Sequence, residues 1–281
     1  MIELTALNFS VLFFFGTFIG LAGSALGIGG GIFMVPFLVL ALKIPMHQAV
    51  ADSLVAIVAT SSAVAAVNVE RGLANIRLGI TLEVTTALGS LAGALAAGYL
   101  PAAALRLLFA LMLFPVSALM FLKGGAALKK TAVKAAPAPA RKATAFDSAF
   151  FDPALAAHTP YSVKDIVPAS FISFFAGSLS GLLGIGGGIV QVPVMNLLCG
   201  VPMKAAAATS NFIIGVSAAA SAYVYWCKGL IPPELTAVIV TGVLLGSFLG
   251  IYALYRARSG KLQLAFGALA LLAGVKMLTG V

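Results

Sequence analysis

Charge is what this chain has least of. Lysine, arginine, aspartate and glutamate together make up 9% of its 281 residues, against roughly 25% in an average soluble domain. With 61% of residues hydrophobic, 17 basic and 8 acidic side chains are too few to cover a water-soluble fold of this size. Histidine is almost missing: His47 and His158 are the two, both outside the long apolar runs. The two cysteines, Cys199 and Cys227, form no CxxC pair and stand beside no histidine at ligand spacing. No metal and no cofactor is therefore expected. An intramembrane enzyme is disfavoured too, because it needs nucleophiles or metal ligands inside the spans. A basic n-region is missing from Met1-Ile2-Glu3, so the first apolar run is expected to be a retained span rather than a cleaved signal.

Two abundances need reading against those absences. Glycine occurs 30 times, but without the Gly-X-Y period of collagen. The net charge of +9 would suggest nucleic acid in a soluble protein. Here seven of the basic residues lie in one stretch: Lys123, Lys129, Lys130, Lys134, Arg141, Lys142 and Lys164. Basic loops between apolar runs follow the positive-inside rule. The expected partner is a lipid bilayer and not a nucleic acid.

Ten apolar segments are visible, at 8–26, 27–42, 50–68, 78–98 and 105–122, then at 166–183, 184–200, 206–226, 235–255 and 261–279. They are expected to be helices, since an open sheet leaves backbone groups unpaired in lipid and a membrane barrel would show alternation. The fold class is an all-α polytopic membrane protein with about 8–10 membrane helices. The expected organisation is a first membrane half at 1–122, a basic Pro/Ala linker at 123–165 and a second membrane half at 166–281. The first part of the linker reads as a mobile segment. Its Phe146–Ala157 part reads either as a short interfacial helix or as a solvated loop.

The two halves are copies. A shift of 157 residues lays Gly27–Gly31 on Gly184–Gly188, Val35-Pro36 on Val192-Pro193, Pro45-Met46 on Pro202-Met203 and Gly72-Leu73 on Gly229-Leu230. From Leu26 to Ser53, 15 of 28 positions match without a gap. Five segments per copy is odd, so the second copy is expected to insert upside down. With the linker in the cytoplasm, Arg71, Arg77, Lys204, Arg256, Arg258 and Lys261 fall on the same side. Lys43, Arg106 and Lys228 fall on the other. That bias favours inverted-topology repeats. A re-entrant hairpin made of the first two segments would keep the parity.

The chemistry-bearing motif is GIGGGIxxVP, present twice. Glycine is costly inside a helix, so the clusters mark helix breaks. A helix restarting after such a break aims its N–H groups at the glycines, where an anion can approach. The candidate binding groups are Gly29, Gly30 and Gly31 with Gly186, Gly187 and Gly188. Close helix packing is the competing reading. Ile32 stands where a dinucleotide fingerprint needs its third glycine, which excludes that motif. The next segment of each copy opens with Asp52-Ser53 or Thr209-Ser210-Asn211. These read as helix N-caps, or as oxyanion donors through Ser53, Thr209, Ser210 and Asn211. Asp52 repels an anion unless protonated, so it is either a proton carrier or a cap. His47 falls on Lys204, which leaves a pair of loop residues or charge compensation for a substrate. Glu83 lies within the fourth segment, opposite Val240. It is either a proton-coupling group or a residue reaching the interface near a helix end. Gly89-xxx-Gly93 and Gly246-xxx-Gly250 allow close helix contact, within the monomer or across a homodimer.

These duplicated GIGGGxxxVP motifs, each followed by Pro and an A-x-[TD]-S helix start, resemble the sulfite exporter TauE/SafE family. The residues that carry the resemblance are Gly27–Pro36 with Pro45 and Ala51–Ser53, and Gly184–Pro193 with Pro202 and Ala208–Ser210. It spans the whole chain except the linker. Asp52 departs from the threonine more often seen there, while Thr209 keeps it. The resemblance implies a multi-pass transporter of the bacterial inner membrane, not an enzyme. It implies export of a small sulfur anion, such as sulfite or an organosulfonate like sulfoacetate; the inverted repeats add the expectation of alternating access. A channel or permease for another small anion, such as thiosulfate or sulfate, is the alternative.

Overall fold

The computed structural model describes residues 6–26, 29–129, 145–152, 157–256, 268, 271, 272 and 274–279. Helix α1 (Ala6–Leu26) leads to a short α2 (Gly31–Leu40), then α3 (Met46–Glu70), α4 (Ile76–Ala97) and α5 (Ala102–Lys129). An antiparallel hairpin follows, β1 (Ser148–Asp152) with β2 (Ala157–Tyr161). The second set is α6 (Ile166–Leu183), α7 (Gly188–Pro193) continuing into a π-helical turn at Val194–Leu198, α8 (Met203–Cys227) and α9 (Pro233–Arg256). The last expected segment lies largely outside the described residues, although 274–279 are helical.

Helices α3, α4, α6, α8 and α9 are each long and apolar enough to cross a bilayer. Their outward faces are greasy. On α4, Ile80, Val84, Leu88 and Leu95 are exposed in helical period, while Gly79, Glu83, Thr86, Ser90 and Gly93 face the protein. In contrast, α2 has ten residues, which is about 15 Å at about 1.5 Å per residue. That is about half of a hydrocarbon core of about 30 Å. It folds back along α1: Gly30 lies against Ile19, and the rings of Phe15 and Phe37 stack. The α6–α7 pair repeats the hairpin, with Gly187 near Ala176 and Ser180 and Gln191 bonded to Ser173.

The element boundaries follow the sequence repeat. α3 and α8 begin and end 157 residues apart, and α4 and α9 begin 157 apart. Packing crosses between the sets. α1 runs along α9, α6 runs along α4, and α3 packs on α8. Glycine makes the first two contacts close enough for backbone to touch backbone. A Cβ on Gly89 would overlap the carbonyl oxygen of Phe174, and one on Gly93 that of Ser178. Gly246 meets Thr17 and Gly250 meets Leu21 and Ser24 in the same way. All four GxxxG glycines are thus used within the monomer.

The linker corrects one expectation. Its described parts, 148–152 and 157–161, are neither helix nor solvated loop; the pairing runs from Ser148–Tyr161 to Asp152–Ala157. Pro160 opposes a helix here. Phe150 and Tyr161 are buried against Leu73, Leu78, Leu82, Met195 and Cys199. Asp147 closes the ladder by accepting from the Val163 N–H at 2.9 Å. Asn75 Nδ2 and the Arg77 guanidinium hold the approach to β1 through the carbonyls of Phe146 and Ala145. The hairpin is therefore docked over the start of α4. The linker's 130–144 part lies outside the described residues.

Candidate functional site

The two glycine motifs meet halfway along α3 and α8. Gly29 (φ 78°), Gly30 (φ 79°), Gly186 (φ 80°) and Gly187 (φ 65°) all take the left-handed backbone conformation, which side chains other than glycine adopt at a cost. Gly30 and Gly187 then stand at the N-caps of α2 and α7. A Cβ on Gly29 would lie 3.2 Å from Ile57 Cγ2 and 3.3 Å from Ile214 Cγ2. One on Gly186 would lie 3.0 Å from Ile214 Cγ2 and 3.2 Å from Ile57 Cδ1. Ile57 and Ile214 are themselves 157 residues apart, and both are fully buried. Two remote loops thus close on one pair of isoleucines.

Hydroxyls of α3 tie both turns. Ser53 Oγ donates to the Gly184 carbonyl at 2.7 Å, and a Cβ on Gly31 would meet Ser53 and Gly184. Thr60 Oγ1 donates to the Gly29 carbonyl at 3.2 Å. Gly27 and Ile28 lie outside the described residues. Ser210 and Asn211 are buried on α8, where Ser210 holds the position along the helix that Ser53 holds on α3.

The N-cap reading of Asp52, Ser53 and Thr209 is corrected. α3 starts at Met46 behind Pro45, and α8 starts at Met203 behind Pro202. Proline's fixed φ suits a helix entry, so the helices begin earlier and these residues fall in the second turn. There they pin the next helices of the opposite half. Thr236 Oγ1, near the start of α9, donates to Asp52 Oδ1 at 2.7 Å. Thr209 Oγ1 accepts from the Asn75 N–H at 2.8 Å, at the start of α4. The true side-chain cap is Asn75, whose Oδ1 accepts from Leu78 N.

The remaining candidates scatter. His47 is partly buried, and its Nε2 bonds the Ala97 and Leu100 carbonyls at the end of α4. Lys228 Nζ reaches the Ala94 carbonyl beside them. The lysine's charge suits the negative end of the helix dipole. Lys204 is exposed at the start of α8, so the matched pair does not converge on the glycines. Glu83 is 8% exposed, and neither carboxylate oxygen has a hydrogen-bond partner among the described residues. That removes the reading in which it reaches the interface.

Sequence reasoning missed Gln191. It is fully buried on α7, accepts from Ser173 Oγ at 3.2 Å and donates to Thr86 Oγ1 at 2.7 Å. Its signal was available in the repeat, because Met34 occupies the matching position. A serine knot at the α4–α8 crossing was missed too. Ser90 Oγ donates to the Ser217 carbonyl at 2.7 Å, Ser221 Oγ donates to the Ser90 carbonyl at 2.9 Å, and the two hydroxyls are bonded to each other.

Apolar spans, two half-length helices and a buried glycine centre define a polytopic helical membrane protein. The family model described as Sulfite exporter TauE/SafE matches residues 12–277. The chain is 29% identical over 252 residues to the probable membrane transporter protein YunE of Bacillus subtilis (strain 168), covering 87% of this chain and 88% of that protein. It is 27% identical over 241 residues to the probable membrane transporter protein YdhB of the same organism, covering 85% and 86%. A shorter match, 33% over 88 residues, reaches the sulfite exporter TauE/SafE family protein 6 of Arabidopsis thaliana, covering 31% of this chain and 21% of that one. No solved structure matches. The chain belongs to the sulfite exporter TauE/SafE family and is a membrane transporter, not an enzyme.

Proposed function

We propose that the chain exports a small sulfur-containing anion, sulfite or an organosulfonate, across the bacterial inner membrane. The observation that carries this reading is the convergence of Gly29 and Gly186 on Ile57 and Ile214. It gathers the starts of two half-helices at the middle of the two longest spans. Helix starts with glycine and no Cβ in the way favour anions. Few fixed charges are available nearby, so backbone N–H groups and hydroxyls are the natural ligands. Inverted repeats fit the crossed packing, in which α1 lies on α9 and α6 on α4. The halves would rock about the α3–α8 contact, opening the isoleucine pair first to one side and then to the other. An inside-negative potential alone favours expelling an anion, by about 2.3 kcal/mol per charge per 100 mV.

Counterflow in proteoliposomes tests this. Vesicles preloaded with sulfite or sulfoacetate should transiently accumulate the labelled compound, with saturation. Labelled compound that merely equilibrates, without trans-stimulation, would make the protein a channel. Saturable counterflow of thiosulfate or sulfate only would change the substrate and keep the carrier.

A further inference from the structure

The two repeat-related interfaces are not equally polar. Where α4 meets α6, α7 and α8, the inward positions hold Glu83, Thr86, Ser173, Ser180 and Gln191, all buried. A shift of 157 residues puts Val240, Val243, Gly16, Gly23 and Met34 at the related positions around α9. At these five positions the polar groups stand on one side only, while the α9 side keeps Asp52, Thr236, Ser24 and Ser247 as buried polar groups. Gln191 ties them to the glycine centre, because it lies one turn beyond Gly188 on the same half-helix and donates to Thr86. Thr86 is one turn from Glu83 along the same face of α4.

Among the described residues nothing neutralises Glu83 there. Gly79, one turn before it, packs on Phe212 and Thr209; Gly177 of α6 packs on the backbone at Thr86. α6, α7 and the π-helical turn contain no Asp, Glu, His, Lys or Arg. Cys199 follows that turn. α8 carries Lys204 at its start and Tyr223, Tyr225 and Cys227 at its far end. The docked hairpin brings Asp147 and Tyr161, and α4 itself has Arg77. Asp147 is bonded to Val163, Arg77 to Ala145, and Lys228 and His47 to the far end of α4. A buried carboxylate with neither donor nor cation is costly in its charged form. The neutral acid fits this enclosure; the ion fits only when water or a donor reaches it.

We propose that Glu83 is the coupling site of this transporter and that the coupling ion is a proton. The reading rests on the carrier function above. When α7 moves to open the glycine turn, its Gln191–Thr86 bond is the contact to break, and that opens the α4 face to water one turn from Glu83. The proton then leaves to that water, and it is taken up again from the other side before the interface closes. A sodium ion would need several oxygen ligands, and the enclosure offers one carboxylate and a threonine hydroxyl already shared with Leu82 and Gln191.

Two measurements test it. Dicyclohexylcarbodiimide reacts with protonated carboxyls in apolar surroundings and needs no substrate. In the full-length wild-type protein, mass spectrometry should find the adduct on Glu83, decreasing as pH rises. No adduct at Glu83 across the pH range would overturn the proposal. The second measurement is the ratio of steady-state accumulation with and without a one-unit pH difference, taken within each protein. It should reach up to about tenfold in the wild type at one proton per cycle. It should fall to one in Glu83→Gln and stay above one in Glu83→Asp. A wild type that responds to sodium and not to pH, or a Glu83→Gln variant that keeps its pH response, would also sink it. Failure of counterflow with a Glu83 adduct present would instead indict the substrate assignment.

Discussion

Thr236 donates its hydroxyl to Asp52 Oδ1 at 2.7 Å, and the repeat-related contact replaces that pair by Thr209 Oγ1 and the Asn75 N–H at 2.8 Å. The chemistry differs but the task is shared: each bond fastens the second turn of one half's third helix to the start of the other half's fourth. Asp52 is therefore first a latch. Asp52→Asn keeps an acceptor for Thr236 and should change stability by less than about 1 kcal/mol. Asp52→Leu removes a buried hydrogen bond and should cost about 1–2 kcal/mol. Thermal unfolding in detergent micelles checks both. Equal losses from the two substitutions would show that the latch is not what Asp52 contributes.

At the glycine centre two penalties can be separated. Gly29→Ala meets the positive φ, costing about 1–2 kcal/mol, and also the two isoleucine methyls at 3.2 and 3.3 Å. Ile57→Ala and Ile214→Ala remove the Cγ2 methyls that a Cβ on Gly29 would meet, but leave φ unchanged. Gly29→Ala should abolish most transport while the protein still inserts. Adding Ile57→Ala should recover part of it. A double-mutant cycle reads the coupling, expected at about 0.5–1.5 kcal/mol. Additive effects would mean that backbone strain alone matters.

The close helix pairs make a prediction that compares positions. Gly89→Ala forces α4 off the Phe174 backbone, and Gly246→Ala forces α9 off Thr17. Each should destabilise by about 2 kcal/mol or more, because backbone cannot move aside as a side-chain tip can. Gly72 and Gly229 have φ of 64° and 67° with nothing near a Cβ. Alanine there should cost only about 1 kcal/mol. Guanidinium-free unfolding, by heat or by a harsh detergent, ranks the four variants.

Much of this fold could be read in the primary structure, because lipid restricts the options. Apolar run length located most of the described helices to within a few residues, and α3 and α8 begin and end 157 residues apart, the offset of the sequence match. The GIGGG clusters were correctly read as helix breaks. Their convergence on Ile57 and Ile214 was not legible, since no local pattern says which remote helices meet. Asp52, Ser53 and Thr209 were misplaced as caps because hydroxyl and carboxyl residues near a helix start resemble caps, and Pro45 and Pro202 had already begun the helix. The β-hairpin was missed because its strands are short and its stability comes from docking Phe150 and Tyr161 between the start of α4 and the second half. Gln191 was the avoidable miss: aligning the copies and asking where they differ in polarity exposes it at once.

That difference gives the last prediction. Gln191→Met makes the second half-helix match the first, with Met34 as its counterpart. The volumes are similar, and Thr86 still donates to the Leu82 carbonyl at 2.7 Å. Only Ser173 loses its acceptor. Leaving one buried donor without its partner costs about 1–3 kcal/mol, so the melting temperature should fall by the equivalent of that and no more. Transport should respond far more, because the bond between α7 and α4 is the link from the glycine turn to the Glu83 face. The informative measurement is the response to an imposed pH difference beside the rate of counterflow. Loss of pH response with counterflow retained would place Gln191 in the coupling between the two. Equal loss of both would instead place it in the packing of α7.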